Sequence, residues 1–318
     1  MNEQARNAYA KVKAEYPKTP EALTAAIEEA QIMYAMDKVN DAVQQLQQLA
    51  ETHGNAEERL PIWMALAHVY RDLGLTEAAA GIAKDIAAAT TESEPLAEAA
   101  VDLLHAGALE EALPLIARVD AAKLSRASAY TLQMEFGKAL LNVDPNRALE
   151  KLESAYLTYP DARNPEDEQL LLEAYIAANR TAAARRMVME KAAQAHNAPA
   201  ETPYMIDAAI TWGDFLYAKG DYREAAEAYG MAIQAAQVST FTGKGVKTDP
   251  RWAKYQRANA LLELADFSES LSLYKDLAAS DSPWAKEAGI KAAYAELEQR
   301  LRGAVPLNES AATPKQEG

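Results

Sequence analysis

The chain has 318 residues and a formal net charge of −15, with 47 acidic against 32 basic side chains. That balance opposes nonspecific nucleic-acid binding, whose affinity comes from Lys and Arg displacing counterions, and it makes anionic membrane surfaces poor partners while steering basic surfaces in. There is no Cys, which excludes disulfides, thiol nucleophiles and thiolate metal sites. Hydrophobic residues reach 49%, much of it Ala, while Gly and Pro together number only 27, so helices are expected and turn-rich sheets are not. No run approaches the roughly 18 apolar residues of a membrane-spanning helix, and the N-terminus shows no basic-then-apolar signal.

In chain order, residues 1–19 read as half of a helix pair. Ala5, Tyr9 and Val12 share one helical face, and Tyr16-Pro17 stops it. With no partner helix ahead of it, that face is expected to expose an apolar stripe. Two readings stay open: an upstream segment with a signal or anchor has been removed, or this is a natural half-repeat cap.

From Pro20 to Ala279 seven helix pairs can be phased on a small residue in the second helix: Ala42, Ala79, Ala112, Ala148, Ala184, Ala225 and Ser270. The second pair carries Trp63, Leu66, Ala67, Tyr70 and Gly74; the third turns at Gly107 and continues ALEEA to Ala112. The fourth keeps Gly137, turns at Asp144-Pro145 with Pro placed to start a helix, and closes on Tyr159-Pro160. The fifth is marked more weakly, by Tyr175, Asn179 and Ala184. In the sixth, Gly213 lies inside the first helix, Gly220 ends it, Tyr222 opens the second, and Tyr229 and Ala232 continue its apolar face. The seventh has Ala258, Ala265, Phe267 and Tyr274.

This pattern resembles the tetratricopeptide repeat, two antiparallel helices of about 34 residues with small residues where they touch. The resemblance implies an all-α fold, a right-handed α-α superhelix of about seven helix pairs plus terminal helices, with a concave side built mainly from first helices. It also implies a scaffold for a protein or peptide ligand. The array is expected over residues 20–302, with 303–318 a disordered tail because the composition there turns polar.

Two connections exceed the usual helix-hairpin length, His196 to Pro203 and Val238 to Pro250. The second, with two Gly and two Lys, reads either as a partner-touching loop or as a tolerated insertion. Near the C-terminus Ser282 is a candidate N-cap with Pro283 behind it, opening a capping helix through Leu301 that presents Trp284, Ala288, Ala292 and Leu297 and turns a polar face outward.

Catalytic signals are not found. His53, His68, His105 and His196 lack the i, i+4 pairing of a helical metal site, and Glu166, Asp167 and Glu168 suit a helix start for dipole reasons. Gly243-Lys244-Gly245 lacks the remainder of a phosphate loop. The expectation is a protein with no enzyme activity, no cofactor and no metal.

Transferring the repeat family's groove-facing offsets selects Tyr34, His68, Arg71, Met134, Lys138, Glu173, Asp214, Tyr217, Trp252, Tyr255 and Asn259 as partner-binding candidates. Trp252 and Tyr255 stand one turn apart and form either an apolar shelf in the groove or part of the packing against the preceding second helix. The Lys, Asn and Arg clamp with which some tetratricopeptide proteins grip a terminal carboxylate is not reproduced among these residues.

The segment AEYPKTPEA from Ala14 to Ala22 resembles repeat junctions of the outer-membrane assembly lipoprotein family and of cell-envelope coordination proteins. That resemblance implies an adaptor in bacterial envelope assembly, secretion or export, periplasmic or membrane-associated through an upstream anchor. The alternatives are a cytoplasmic regulatory or co-chaperone array, or the noncatalytic part of a larger enzyme or regulator. Because stacked pairs add length rather than radius, the radius of gyration should exceed the roughly 20 Å of a compact globule of this length. Small-angle scattering reads that value directly.

Overall fold

A computed structural model describes residues 2–197, 202–237 and 247–304, and among these residues it holds sixteen α-helices and no strand. Helix α1 (Asn2–Glu15) precedes seven hairpins. These pair α2 (Pro20–Ala35) with α3 (Val39–Thr52), α4 (Ala56–Asp72) with α5 (Thr76–Ala89), α6 (Ser93–His105) with α7 (Leu109–Ile116), and α8 (Arg126–Leu140) with α9 (Pro145–Thr158). The remaining pairs are α10 (Pro165–Ala177) with α11 (Thr181–Asn197), α12 (Thr202–Lys219) with α13 (Tyr222–Ala236), and α14 (Pro250–Glu263) with α15 (Phe267–Ala278); α16 (Ala285–Ala304) follows.

Six of the seven hairpins turn by one device. Asp37, Gly74, Gly107, Asn179, Gly220 and Ala265 each adopt a left-handed backbone, with φ between 56° and 83°. The next residue then donates its N–H back five residues, as Leu75 does to the Tyr70 carbonyl at 2.8 Å and Asp266 to Leu261 at 2.8 Å, satisfying a carbonyl that the helix end would leave unpaired. The fourth hairpin departs as its sequence indicates: Asp144 caps α9 by accepting from the Arg147 N–H at 3.1 Å, and Pro145 occupies the first turn.

Each left-handed residue stands five positions ahead of the phased small residue of its second helix. All seven phased residues, Ala42, Ala79, Ala112, Ala148, Ala184, Ala225 and Ser270, are no more than 1% exposed. The approach there is close. A Cβ placed on Gly137 of α8 would lie 2.5 Å from the Leu152 side chain and 3.2 Å from the Ala148 carbonyl, and one on Gly213 of α12 would lie 2.6 Å from the Tyr229 ring. Ser270 satisfies its buried hydroxyl by donating to the Ala258 carbonyl of α14 at 2.8 Å.

Contacts fall into two compact units, Met1–Asn164 and Pro165–Gly318. In the first, the first helices α2, α4, α6 and α8 neighbour one another in succession; in the second, α10, α12 and α14 do the same. Second helices pack behind them.

Several expectations are corrected. The α1 face of Ala5, Tyr9 and Val12 lies half-buried against α2 instead of forming an exposed stripe, and Lys13 and Arg6 reach Glu29 of α2. Helix α16 begins at Ala285, three residues after the expected cap, although the Ser282 hydroxyl still accepts from the Trp284 N–H at 3.2 Å. Its buried face is Ala288, Ala292 and Ala295, whereas Leu297 joins Ile290, Tyr294 and Leu301 in an exposed row, so the outer face is apolar where a polar one is expected. Helices α11 and α12 run into both ends of the expected connection from His196 to Pro203. Of the Val238 to Pro250 connection, only residues 247–250 lie within the described part; there the buried Asp207 carboxylate accepts from the Lys247 and Thr248 N–H groups at 2.9 and 3.0 Å. Gly303 and Ala304 belong to α16, and the rest of the expected tail lies outside the described residues.

Two substitutions test this frame. Ala225→Trp should lower stability by about 1–3 kcal/mol through overpacking, and Ala265→Gly should raise it by about 0.5–1 kcal/mol by relieving a left-handed alanine. Urea midpoints at constant slope read both.

Candidate functional site

Counting back from the left-handed turn residue aligns the first helices. Positions ten, nine and six residues ahead of it are Ile27, Glu28 and Gln31 in α2; Met64, Ala65 and His68 in α4; and Ala97, Glu98 and Val101 in α6. These nine residues, with Thr24, Pro61 and Arg71 and with Ala127, Ser128 and Thr131 of α8, line a groove of about 580 Å³. Its walls come from first helices alone, because their hairpin partners are turned to the other side by the same turn. The floor is apolar at Ile27, Met64, Ala65, Ala97 and Val101, with the carboxylates Glu28 and Glu98 spaced along it.

At the end of the groove nearest the turns, polar groups tie each first helix to the next. The Tyr34 hydroxyl of α2 faces Asp72 of α4, and desolvation together with that carboxylate pushes its pKa up. His68 Nε2 lies 3.6 Å from the same Asp72. Arg71 of α4 forks onto Asp102 of α6, with Nε donating to Oδ1 at 2.7 Å and Nη2 to Oδ2 at 3.2 Å, and it stands 3.7 Å from Glu98. His105 of α6 meets Glu135 of α8 at 3.2 Å, and Lys138 meets Glu135 at 3.6 Å.

Burial governs the charges in this ladder. Asp102 is 1% exposed, and desolvation pushes its carboxyl above the ordinary range against the pull of Arg71. Glu98 is pushed up for the same reason, with Arg71 opposing and Asp102 adding to the rise. Burial draws the Arg71 guanidinium down, but the hydrogen bond and charge of Asp102 outweigh it and leave it raised. Glu135 goes the other way: its hydrogen bond with His105 exceeds the cost of burial and holds it low. The Arg71–Asp102 pair therefore fixes the spacing of α4 and α6 more than it adds net stability.

In the second unit the same register is filled. Asp214 of α12 accepts from the Tyr229 hydroxyl at 2.7 Å and from Trp252 Nε1 of α14 at 3.2 Å. Trp252, Tyr255 and Trp284 pack ring on ring, with centroids 5.3 to 6.3 Å apart. Asn259 accepts from the Tyr274 hydroxyl at 2.5 Å and from Lys291 Nζ at 2.7 Å, and donates to Gln256 at 2.6 Å. Desolvation raises the pKa of Tyr229, Tyr255 and Tyr274, in keeping with their packing.

Of the eleven candidates, His68 and Arg71 line the groove, and Tyr34 and Lys138 belong to the ladder beside it. Glu173 accepts from Gln169 on its own helix at 3.1 Å, and Tyr217 stacks edge-on with Tyr222. Three assignments are corrected. Met134, Tyr255 and Asn259 are buried, so they serve packing and not a groove surface. In α8 it is Glu135, not Met134, that stands at i+4 from Thr131 and carries the ladder beside the groove, pairing with His105 and Lys138. The groove positions missed from sequence lie one to two turns earlier than the chosen offsets, and the turn residue itself is the signal that locates them.

Removing Arg71 alone would leave Asp102 buried without its counterion. Arg71→Ala should therefore cost about 3 kcal/mol, whereas Arg71→Met combined with Asp102→Leu should recover most of that loss. Denaturant unfolding of the two variants makes the comparison.

No family model matches the chain, and no curated protein matches it. Solved structures similar to it include a tetratricopeptide repeat protein from Parabacteroides merdae, 14% identical with a TM-score of 0.47 over 75% of this chain and 88% of that one. Yeast Tom70 is 15% identical with a TM-score of 0.38 over 95% of this chain and 65% of that one. The assembly chaperone of RpL4 is 15% identical with a TM-score of 0.39 over 89% of this chain and 99% of that one. The seven hairpins carry the fold assignment by themselves: an all-α array of helical repeats, with a common packing residue and, in six of the seven, a common turn.

Proposed function

We propose that this chain is a noncatalytic scaffold that binds protein partners through the first-helix groove of its first unit, in bacterial envelope assembly, secretion or export. The carrying observation is the groove, whose apolar floor and spaced carboxylates suit a segment that presents aliphatic side chains beside Lys or Arg. The overall charge of −15 favours the same partner chemistry. The envelope setting rests on the segment from Ala14 to Ala22, which bridges α1 and α2 with Lys18 left-handed and Thr19 capping α2. A periplasmic or membrane-associated location follows from that reading.

Charge reversal separates the groove from the rest of the surface. Glu28→Lys with Gln31→Lys should abolish crosslinked capture of partners from the envelope fraction of the native host, while Glu51→Lys with Glu77→Lys, on second helices, should retain it. Equal capture by both variants would remove the groove from the proposal, and capture from the cytoplasmic fraction alone would remove the envelope.

A further inference from the structure

Helix α7 has 8 residues where α3, α5 and α9 of the same unit have 14 each. Six missing residues correspond to about 9 Å of helix at the usual rise. The repeat interval is kept by the connection from Ala117 to Ser125, which includes a short 3-10 turn, Ala121–Lys123. A connection of this kind could collapse into the space left by the helix, but it is pinned on the opposite side. Arg118 donates to the Ala87 and Thr90 carbonyls at 3.0 and 2.7 Å, and the Asp120 N–H donates to the Ser93 hydroxyl at 3.0 Å.

What is left is a cavity of about 300 Å³ between this connection and the α8/α9 hairpin. Its body is apolar, formed by Val119, Leu124, Leu132 and Phe136 among others. Ser154 lines it too, together with three larger polar side chains, Gln133, Arg147 and Lys151. Each has capacity to spare. Gln133 Oε1 is buried without a hydrogen-bond partner, a state that ordinarily costs free energy. Arg147 lies over the Phe136 ring at 5.2 Å and has no ion pair among the described residues. Among the described residues Lys151 is paired only with its exposed neighbour Glu150 at 2.9 Å, and the Asp144 carboxylate is engaged by the Arg147 backbone N–H.

We propose that this cavity is a binding site for a small amphipathic acid of the N-acyl amino acid class. The aliphatic side chain enters the body between Leu124, Leu132 and Phe136. The carboxylate sits at the mouth between Arg147 and Lys151, and the amide N–H donates to Gln133 Oε1. The volume, at the lower end of the roughly 300–1,000 Å³ of ligand pockets, sets the size. The two cations set the charge, and the orphaned acceptor requires a donor between acid and apolar body. The site shares no lining residue with the first-helix groove, although α8 contributes to both, and it is independent of the function proposed for that groove.

Calorimetric titration of the full chain with N-acetylleucine tests the proposal, with N-acetylleucinamide and 4-methylpentanoate as comparison probes. N-Acetylleucine should bind saturably, and each comparison probe should bind about tenfold more weakly, the amide for want of charge and the acid for want of an N–H. Arg147→Ala with Lys151→Ala should weaken N-acetylleucine about tenfold at an unchanged melting temperature, both side chains standing at the mouth. Gln133→Leu should bring N-acetylleucine down to the level of 4-methylpentanoate. Absence of saturable binding, equal binding of the neutral amide, or indifference to the Arg147/Lys151 change would overturn the site. A pentapeptide of four Ala and a terminal Leu should bind poorly; binding as tight as N-acetylleucine would assign the same chemistry to a chain end and overturn the small-molecule part.

Discussion

The closeness of the two helices in each hairpin is the constraint on which everything else rests. Where a second helix presents a residue no larger than Ala or Ser, its backbone can approach the first helix near enough that a Cβ on Gly137 would crowd the Ala148 carbonyl at 3.2 Å. Such an approach removes water from both backbones and gains dispersion contacts along the whole crossing, which isolated helices of this length lack. The left-handed turn then sets the phase. It returns the chain after a fixed number of residues, so the small residue arrives opposite the first helix each time. The packing rule, applied seven times, and the turn rule, applied six times, produce the hairpins.

The same phase decides which side chains are left over for function. In α2, α4 and α6 the positions ten, nine and six before the turn line the groove, and the side chains at these positions determine whether the surface stays open. In the first unit they are medium or small, and a groove results. In the second they include Tyr255 and Asn259, which close over themselves with Trp252, Trp284, Tyr274 and Lys291. Identical backbone positions thus yield an open surface in one unit and an occupied one in the other. The polar ladder from Tyr34 to Lys138 adds directional contacts between neighbouring first helices, so the width of the groove is held by hydrogen-bond geometry as well as by packing.

Much of the fold was legible in the sequence because the small packing residue and the turn are local signals. Ala42 through Ser270 are buried as phased, and even the weakly marked fifth hairpin turns at Asn179 and packs at Ala184. The groove was less legible. Met134 and Glu135 are neighbours in sequence, and a rotation of about 100° separates a buried position from one in the ladder beside the groove, so an offset transferred with an error of one residue selects the wrong side chain. Tyr255 and Asn259 stand at groove positions in register and are lost to it because Tyr274 of the hairpin partner, and Trp284 and Lys291 some thirty residues later, come to rest against them. Local pattern carries no trace of that. The outer face of α16 failed for a related reason: Ile290, Tyr294, Leu297 and Leu301 form as regular a stripe as Ala288, Ala292 and Ala295, and periodicity alone does not say which of two stripes is turned inward.

The short α7 and its replacement connection bear on how such a chain can change over evolutionary time. Between successive packing residues the spacing runs from 33 to 45 residues, while the five-residue step from turn to packing residue does not vary in six hairpins. The differences in length therefore fall after a second helix, where the chain is free to end that helix early or wander before the next, while the step across the turn is held in six hairpins. A gene encoding this architecture can drift in length at each junction while every hairpin stays in frame. Any template that assumes a constant period then slips out of register within two or three repeats, even though the rule that builds each repeat is unchanged.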